Sequence, residues 1–285
     1  MPSALDAGPG PPGTGGTALA LDQTQSRTTA ALLVAARREA RALADFPGPR
    51  PASLAEAYAI QDAAIAAWPD RIAGWKLARI GAPHDTTHGV GRLAGPIFAR
   101  LVRSAGSMPV SVEVISGGYT AVEAEYVLEI GETPLGHDDW TADSAAGLVS
   151  RAFTGVEVAG SPFAGINQHG PAVTAADFGN NAGLVVGQEI ADWSSRLPGL
   201  RCGVSIDGQV CGEGGAAAIP GGPLESLAFL LNHLHRRGRT LKKGDLVSTG
   251  AAAGVHPIVK GQTARADFGT DGIIDCLAVA AEPAR

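Results

Sequence analysis

The spacing of apolar and polar residues divides the chain into three stretches. Residues 1–25 show no periodic apolar pattern and are rich in Gly, Pro, Ala and Thr, centred on Gly8-Pro9-Gly10-Pro11-Pro12-Gly13. Such a composition cannot bury enough apolar surface to offset the ordering of the chain, so a disordered tail is expected. Residues 26–70 turn helical. Thr28 or Thr29 is placed to cap a helix through Ala30-Ala31-Leu32-Leu33-Val34-Ala35-Ala36 to about Ala44, and Pro47 stops it. A second helix fits Ser53 to Trp68, with Ser53 and Glu56 at capping-box spacing and Leu54, Ala57, Tyr58, Ile60 and Gln61 near its inner face.

Residues 71–285 read as strands and turns with scattered helices. Gly74 to Ala78 forms a short strand, and Gly95-Pro96-Ile97-Phe98 a turn entering another. Val110 to Val114 and Ala121 to Ile130 are strands separated by Gly117-Gly118. A helix is predicted from Asp143 to Phe153, leading into the apolar segment Thr154-Gly155-Val156-Glu157-Val158. Further strands fit Leu184 to Val186, Leu200 to Ile206, Asp245 to Gly250 and Gln262 to Phe268, while Pro223 opens an amphipathic helix through Leu231. No internal repeat is visible. The fold class is α+β, a helical start followed by a β-rich catalytic body.

Composition narrows the partners. The 285 residues are 45% hydrophobic and 18% charged, as in an ordinary globular protein. A formal charge of −6 and a pI near 5.6 argue against nucleic acid. The basic run His235-Arg236-Arg237-Gly238-Arg239 reads as a solvated helix end suited to the helix dipole. Cys202, Cys211 and Cys276 show no CxxC spacing and leave an odd thiol, as in a reduced, cytoplasmic protein. No apolar run approaches the roughly 20 residues that span a bilayer, and the N-terminus has no secretory pattern.

Candidate chemistry concentrates in Val122-Glu123-Ala124-Glu125-Tyr126. Strand side chains alternate faces, so Glu123 and Glu125 point the same way, and Glu129 shares their parity further along. A solvent-facing acidic row is one reading. Glu157 favours another: it sits in an apolar, β-branched run, where a lone carboxylate is costly to ionise without a positive partner. Three carboxylates without Cys or clustered His make a hard oxygen site, suited to Mg²⁺ or Mn²⁺. Lys76 lies between Gly74-Trp75 and Leu77. It is either a snorkelling surface lysine or, with its pKa lowered by apolar surroundings, a group for proton transfer. His84, Asp85 and His88 cluster in a loop. No phosphate-binding loop or GxSxG elbow is present.

These residues resemble the 2-keto-4-pentenoate hydratases and their relatives in the fumarylacetoacetate hydrolase superfamily. The matching pieces are Ala57-Tyr58-Ala59-Ile60-Gln61, Gly74-Trp75-Lys76, Glu123-Ala124-Glu125, Glu157, Ala176-Asp177, Pro223-Leu224 and the run Leu241 to Gly250, in order along the chain. The resemblance implies a mixed β-roll or barrel-like fold with an N-terminal helical portion. It implies Mg²⁺ or Mn²⁺ on Glu123, Glu125 and Glu157, Lys76 as the active-site lysine, a substrate-lining turn at Thr249-Gly250, and a homo-oligomer. The reaction it implies is addition of water to a 2-hydroxydienoate or 2-oxo-alkenoate through a metal-stabilised enolate. A 2-oxo diacid decarboxylase, an acylpyruvate C–C hydrolase and a non-catalytic metal-binding relative are its alternatives. His84 and Asp85 would supply acid–base chemistry, and Arg79, Asp177 and Asn180 would hold substrate. The chain departs from its relatives beside the site: Leu77-Ala78-Arg79 replaces Ile/Val-Gly with Ser or Thr soon after, Leu93-Ala94 precedes Gly95 where an acidic residue is usual, and Phe178-Gly179-Asn180 replaces Asn-Ala-Ser.

Overall fold

The computed structural model describes residues 21–284, so most of the tail expected over residues 1–25 lies outside the described residues. Two helices come first, α1 (Gln23–Arg38) and α2 (Leu54–Ala67). Strands β1 (Ile72–Arg79), β2 (Arg92–Phe98), β3 (Val102–Ser104), β4 (Val110–Val114), β5 (Tyr119–Ile130) and β6 (Val149–Ser161) follow, with short helices α3 (His84–His88) and α4 (Ala142–Ala146) between them. The second half runs α5 (Pro171–Ala176), β7 (Asn181–Glu189), α6 (Trp193–Arg196), β8 (Arg201–Ile206), β9 (Gln209–Gly215) and α7 (Gly222–Arg236). Strands β10 (Leu246–Ser248), β11 (His256–Pro257), β12 (Thr263–Asp267) and β13 (Ile273–Ala280) complete it.

Helix α1 starts earlier than the sequence pattern suggested. Asp22 caps it: its carboxylate accepts from Gln25 N at 2.7 Å while Gln25 Oε1 accepts from Asp22 N at 3.0 Å. This reciprocal pair satisfies two orphan donors, leaving Thr28 and the buried Thr29 inside the helix. Ser53 does cap α2, accepting from Glu56 N at 3.2 Å, but Glu56 reaches back to Ala52 N instead of closing the box on Ser53. Both helices bury an apolar face in a cluster with Phe98, Val173 and Phe178.

Eight strands form one mixed sheet in the order β2-β1-β10-β5-β6-β7-β3, with β11 also paired to β5; five form a second in the order β4-β13-β12-β8-β9. Val122, Ala124, Tyr126, Val156 and Val158 of the larger sheet pack against Val204, Ala264, Ile274 and Cys276 of the smaller. That contact fixes the parity of β5 and β6. Their even positions here fill the core between the sheets, so Glu123, Glu125 and Glu157 face the other side. Helix α7 covers β1, β10 and β5, placing Leu227, Leu230 and Leu231 against Trp75, Leu128 and Val247. The result is the expected α+β body, a mixed β-roll with an N-terminal helical portion.

Two local expectations are corrected. The helix foreseen over Asp143 to Phe153 ends at Ala146, and β6 begins at Val149. Gly147 interrupts the helix, and the β-branched and aromatic residues beyond it gain a pairing partner in β5 along the whole strand. Gly95-Pro96 is not a turn but the middle of β2. β2 is an edge strand, where a missing N–H is tolerated. Gly95 is needed because a Cβ there would overlap the Phe178 carbonyl. No described helix is long and apolar enough to cross a membrane.

Candidate metal centre and cleft

Strand pairing sets Glu123 directly opposite Glu157 across β5 and β6, with Glu125 two residues along. One carboxylate oxygen from each lies within 4.8 Å of the others, and all three residues are buried. Each is oriented by a neighbour. Glu125 Oε2 accepts from Ser248 Oγ at 2.6 Å and from Gly250 N at 2.8 Å. Glu157 Oε1 accepts from Asn181 Nδ2 at 3.0 Å. Lys76, on β1 and 2% exposed, places Nζ 3.0 Å from Glu157 Oε2 and donates to the Gly179 carbonyl at 3.2 Å.

Three buried carboxylates thus face one ammonium. Burial, with the charge of Glu157 adding to it, raises the Glu123 carboxyl to about 7 against the pull of Lys76. The same burial and the two neighbouring carboxylates push Glu125 well above its ordinary value. For Lys76 the sequence expectation is reversed. Burial alone would lower its pKa, but Glu157, Glu123 and Glu125 together raise it above the usual lysine value, so it remains an ammonium. Glu125 Oε1 has no hydrogen-bond partner among the described residues. A buried, unpartnered carboxylate oxygen within a surplus of negative charge fits a hard divalent cation, with Glu123, Glu125 and Glu157 as its ligands.

Lys76 and Glu123 open onto a cleft of about 540 Å³ also lined by Arg79, His84, Asn180, Thr249 and Gly250. Glu125 and Glu157 lie behind that surface. Thr249 reaches the cleft with its hydroxyl committed to Tyr126 O at 2.7 Å. The His84 to His88 segment is a helical turn, not a loop; His84 is exposed on the cleft, whereas Asp85 is not in its lining and accepts from Thr86 N. Asp177 is also absent from the lining. It is 1% exposed, paired with Arg37 at 2.7 Å and accepting from Ser161 Oγ at 2.6 Å. Glu129, of the right parity, pairs instead with Arg151 at 2.7 Å.

The sequence reading missed Ser248, Asn181 and Arg92. Ser248 lay inside the matched run Leu241 to Gly250, and Asn181 directly follows Asn180. Arg92 gave no signal, because its role in the cleft comes from strand register: it stands opposite Arg79.

No family model matches the chain. The chain is similar to the TodF product hydratase of Pseudomonas putida, 27% identical over 173 residues, 59% of this chain and 61% of that protein. The match therefore spans about three-fifths of the relative's length. Among solved structures, the 4-oxalocrotonate decarboxylase of Pseudomonas putida G7, complexed with calcium and acetate, superposes with a TM-score of 0.76 at 21% identity, covering 91% of this chain and 99% of that one. The same enzyme complexed with magnesium and adipate gives the same values. A fumarylpyruvate hydrolase from Pseudomonas aeruginosa, complexed with Mn²⁺ and pyruvate, superposes with a TM-score of 0.54 at 17% identity over 75% of this chain and 91% of that one. The solved structures share the fold of this chain, and the partial sequence match to a hydratase agrees with the resemblance that the motifs carry.

Proposed function

We propose that the protein is a Mg²⁺- or Mn²⁺-dependent lyase that adds water to a 2-hydroxydienoate or 2-oxo-alkenoate, as a cytoplasmic homo-oligomer. The observation that carries this reading is the convergence of three buried carboxylates at the floor of an open cleft, with one ammonium against them. A bound divalent cation supplies Lewis-acid stabilisation of charge developing on the 2-oxo acid group. The protein does the rest. Lys76, held protonated, balances Glu157 and offers a proton at the cleft floor. Ser248 and the Gly250 amide fix Glu125, Asn181 fixes Glu157, and Asn180 and Thr249 shape the wall beside the substrate. His84 is the solvent-side acid–base group in this reading.

One feature favours a second reading, decarboxylation of a 2-oxo diacid. Arg79 and Arg92 stand directly opposite each other on β1 and β2, both in the cleft lining. Like charges in register repel, and among the described residues neither forms an ion pair; Arg92 donates to the Pro220 carbonyl. Arg79 lies three residues beyond Lys76 and leaves the opposite face of β1, yet both line the cleft, so a second carboxylate of a bound diacid would meet Arg79 at the end of the strand.

A panel of 2-hydroxydienoates, acylpyruvates and 2-oxo diacids, assayed with Mg²⁺ and with Mn²⁺, separates these readings. Hydratase chemistry shows as metal-dependent loss of the diene without CO₂ release, abolished by a chelator and by Glu157→Gln but not by Glu129→Gln. CO₂ release from a diacid transfers the assignment to the second reading. No metal-dependent turnover of any 2-oxo acid makes the protein a non-catalytic relative.

A further inference from the structure

Arg37 stands in the last turn of α1, remote in sequence from the site, and its side chain is 7% exposed. All its donors point at one segment and the strand beside it. Nε donates to Asp177 Oδ1 at 2.7 Å, Nη1 to Asn181 O at 2.9 Å, and Nη2 to Gly160 O at 2.7 Å and Asp177 O at 3.3 Å. Its guanidinium also lies 5.2 Å from the centre of the Phe178 ring.

Between these anchors Phe178, Gly179 and Asn180 adopt left-handed backbone in succession, with φ of 53°, 64° and 64°. Phe178 and Asn180 carry a Cβ, so this conformation persists only where its surroundings impose it. The segment delivers three groups to the site. Gly179 O accepts from Lys76 Nζ, Asn180 lines the cleft, and Asn181 Nδ2 donates to Glu157 Oε1.

We propose that Arg37 is a positioning residue: from the N-terminal helix it clamps residues 177–181 so that Lys76 and Glu157 keep their orientation. Only a guanidinium can do this, because one planar fork must serve a carboxylate and two separate strand carbonyls; an ammonium is a single point donor. Asp177 acts through the same clamp, turned away from the cleft. The consequence for the cation rests on the metal-dependent reading above, whereas the consequence for the segment does not.

The test compares the full-length protein with Arg37→Met, Arg37→Lys and Arg196→Met. The last removes a bidentate pair with Asp271 elsewhere in the fold, at 2.6 and 2.8 Å, and controls for loss of an ion pair as such. Amide hydrogen exchange without metal reads the clamp directly, and calorimetric titration with Mn²⁺ reads the site. In Arg37→Met we expect exchange across residues 178–183 to accelerate at least tenfold, and Mn²⁺ affinity to fall at least tenfold. Arg196→Met should show neither change at an equal drop in melting temperature. If Arg37→Met does not fold, Arg37→Lys carries the same comparison. Wild-type protection of residues 178–183 in the variant, or wild-type Mn²⁺ affinity, overturns the proposal. If the wild type takes up no Mn²⁺, the metal reading falls and the exchange result alone decides for or against Arg37.

Discussion

Lys76 shows how a side chain's chemistry is set by what surrounds it. Between Trp75 and Leu77 it reads as a lysine depressed by apolar neighbours, but the carboxylates brought in by β5 and β6 reverse that shift. Lys76→Met should therefore act twice. Without metal, removing one partner of a buried charge pair costs on the order of 3–5 kcal/mol. With saturating Mg²⁺ most of that loss should return, while turnover stays at least a hundredfold down. Melting curves with and without Mg²⁺, beside a rate measurement, check both halves; near-normal turnover would leave Lys76 a purely structural ion. The same cluster gives a pH dependence. Glu123 titrates at about 7 in the folded, metal-free protein against an ordinary 4.5, so its contribution is complete below about 4.5 and lost as pH rises through 7. A cation that binds the ionised form opposes this loss. The melting-temperature gain from Mn²⁺ should accordingly grow from pH 5 to pH 8, and a gain independent of pH would place the ion elsewhere. Alternation along one strand was enough to pair Glu123 with Glu125, and the apolar run around Glu157 marked it as needing a partner. Ser248, Asn181 and Arg37 were not readable as site residues, because their positions depend on register and packing between distant segments.

Elements were legible where one period ran uninterrupted and lost where two overlapped. α2, α7, β5 and the apolar half of β6 announced themselves. The first half of β6 did not, since Leu148-Val149 and Ala152-Phe153 suit a helical stripe as well as a strand. Only the partner β5 decides between them. The start of α1 was misplaced because two threonines competed with an Asp22–Gln25 pair whose strength lies in two mutual hydrogen bonds. Gly95 is the clearest case of a residue correctly noticed for the wrong reason. It reads as a turn glycine beside Pro96, but it serves close approach of β2 to the left-handed segment that carries Gly179. Gly95→Ala should push that segment away, costing about 1–3 kcal/mol as overpacking does, and weakening Mn²⁺ binding through the lost Lys76 and Glu157 contacts. Gly91→Ala, where a Cβ meets nothing within 4 Å, is the matched control. Equal melting temperatures and equal Mn²⁺ affinity for the two variants would refute the close-approach argument.

At the scale of the whole molecule, the N-terminal helices are not an appendage to the β-rich body. α1 and α2 share one apolar cluster with Phe98, Phe163 and Phe178, Gln61 bridges Ala94 O and Ala175 O, and Arg37 reaches Gly160 on β6. The division at residue 26 drawn from composition therefore falls inside an element whose capping turn begins at Asp22. This shifts where the chain tolerates shortening. A protein beginning at Leu21 keeps the capping box and the contact of Leu21 with the shared cluster. It should melt within a degree or two of the full chain. One beginning at Ser26 lacks the whole capping box, donors and acceptors alike, and caps of this kind contribute about 1 kcal/mol. Because α1 carries Arg37 at its other end, fraying should travel toward the site as well. The shorter protein should bind Mn²⁺ more weakly, and by more than its lower melting temperature accounts for when both are compared well below unfolding. If the two truncations melt alike and bind alike, the first turn of α1 is dispensable, and the coupling drawn from the helix to the carboxylate cluster begins only beyond it.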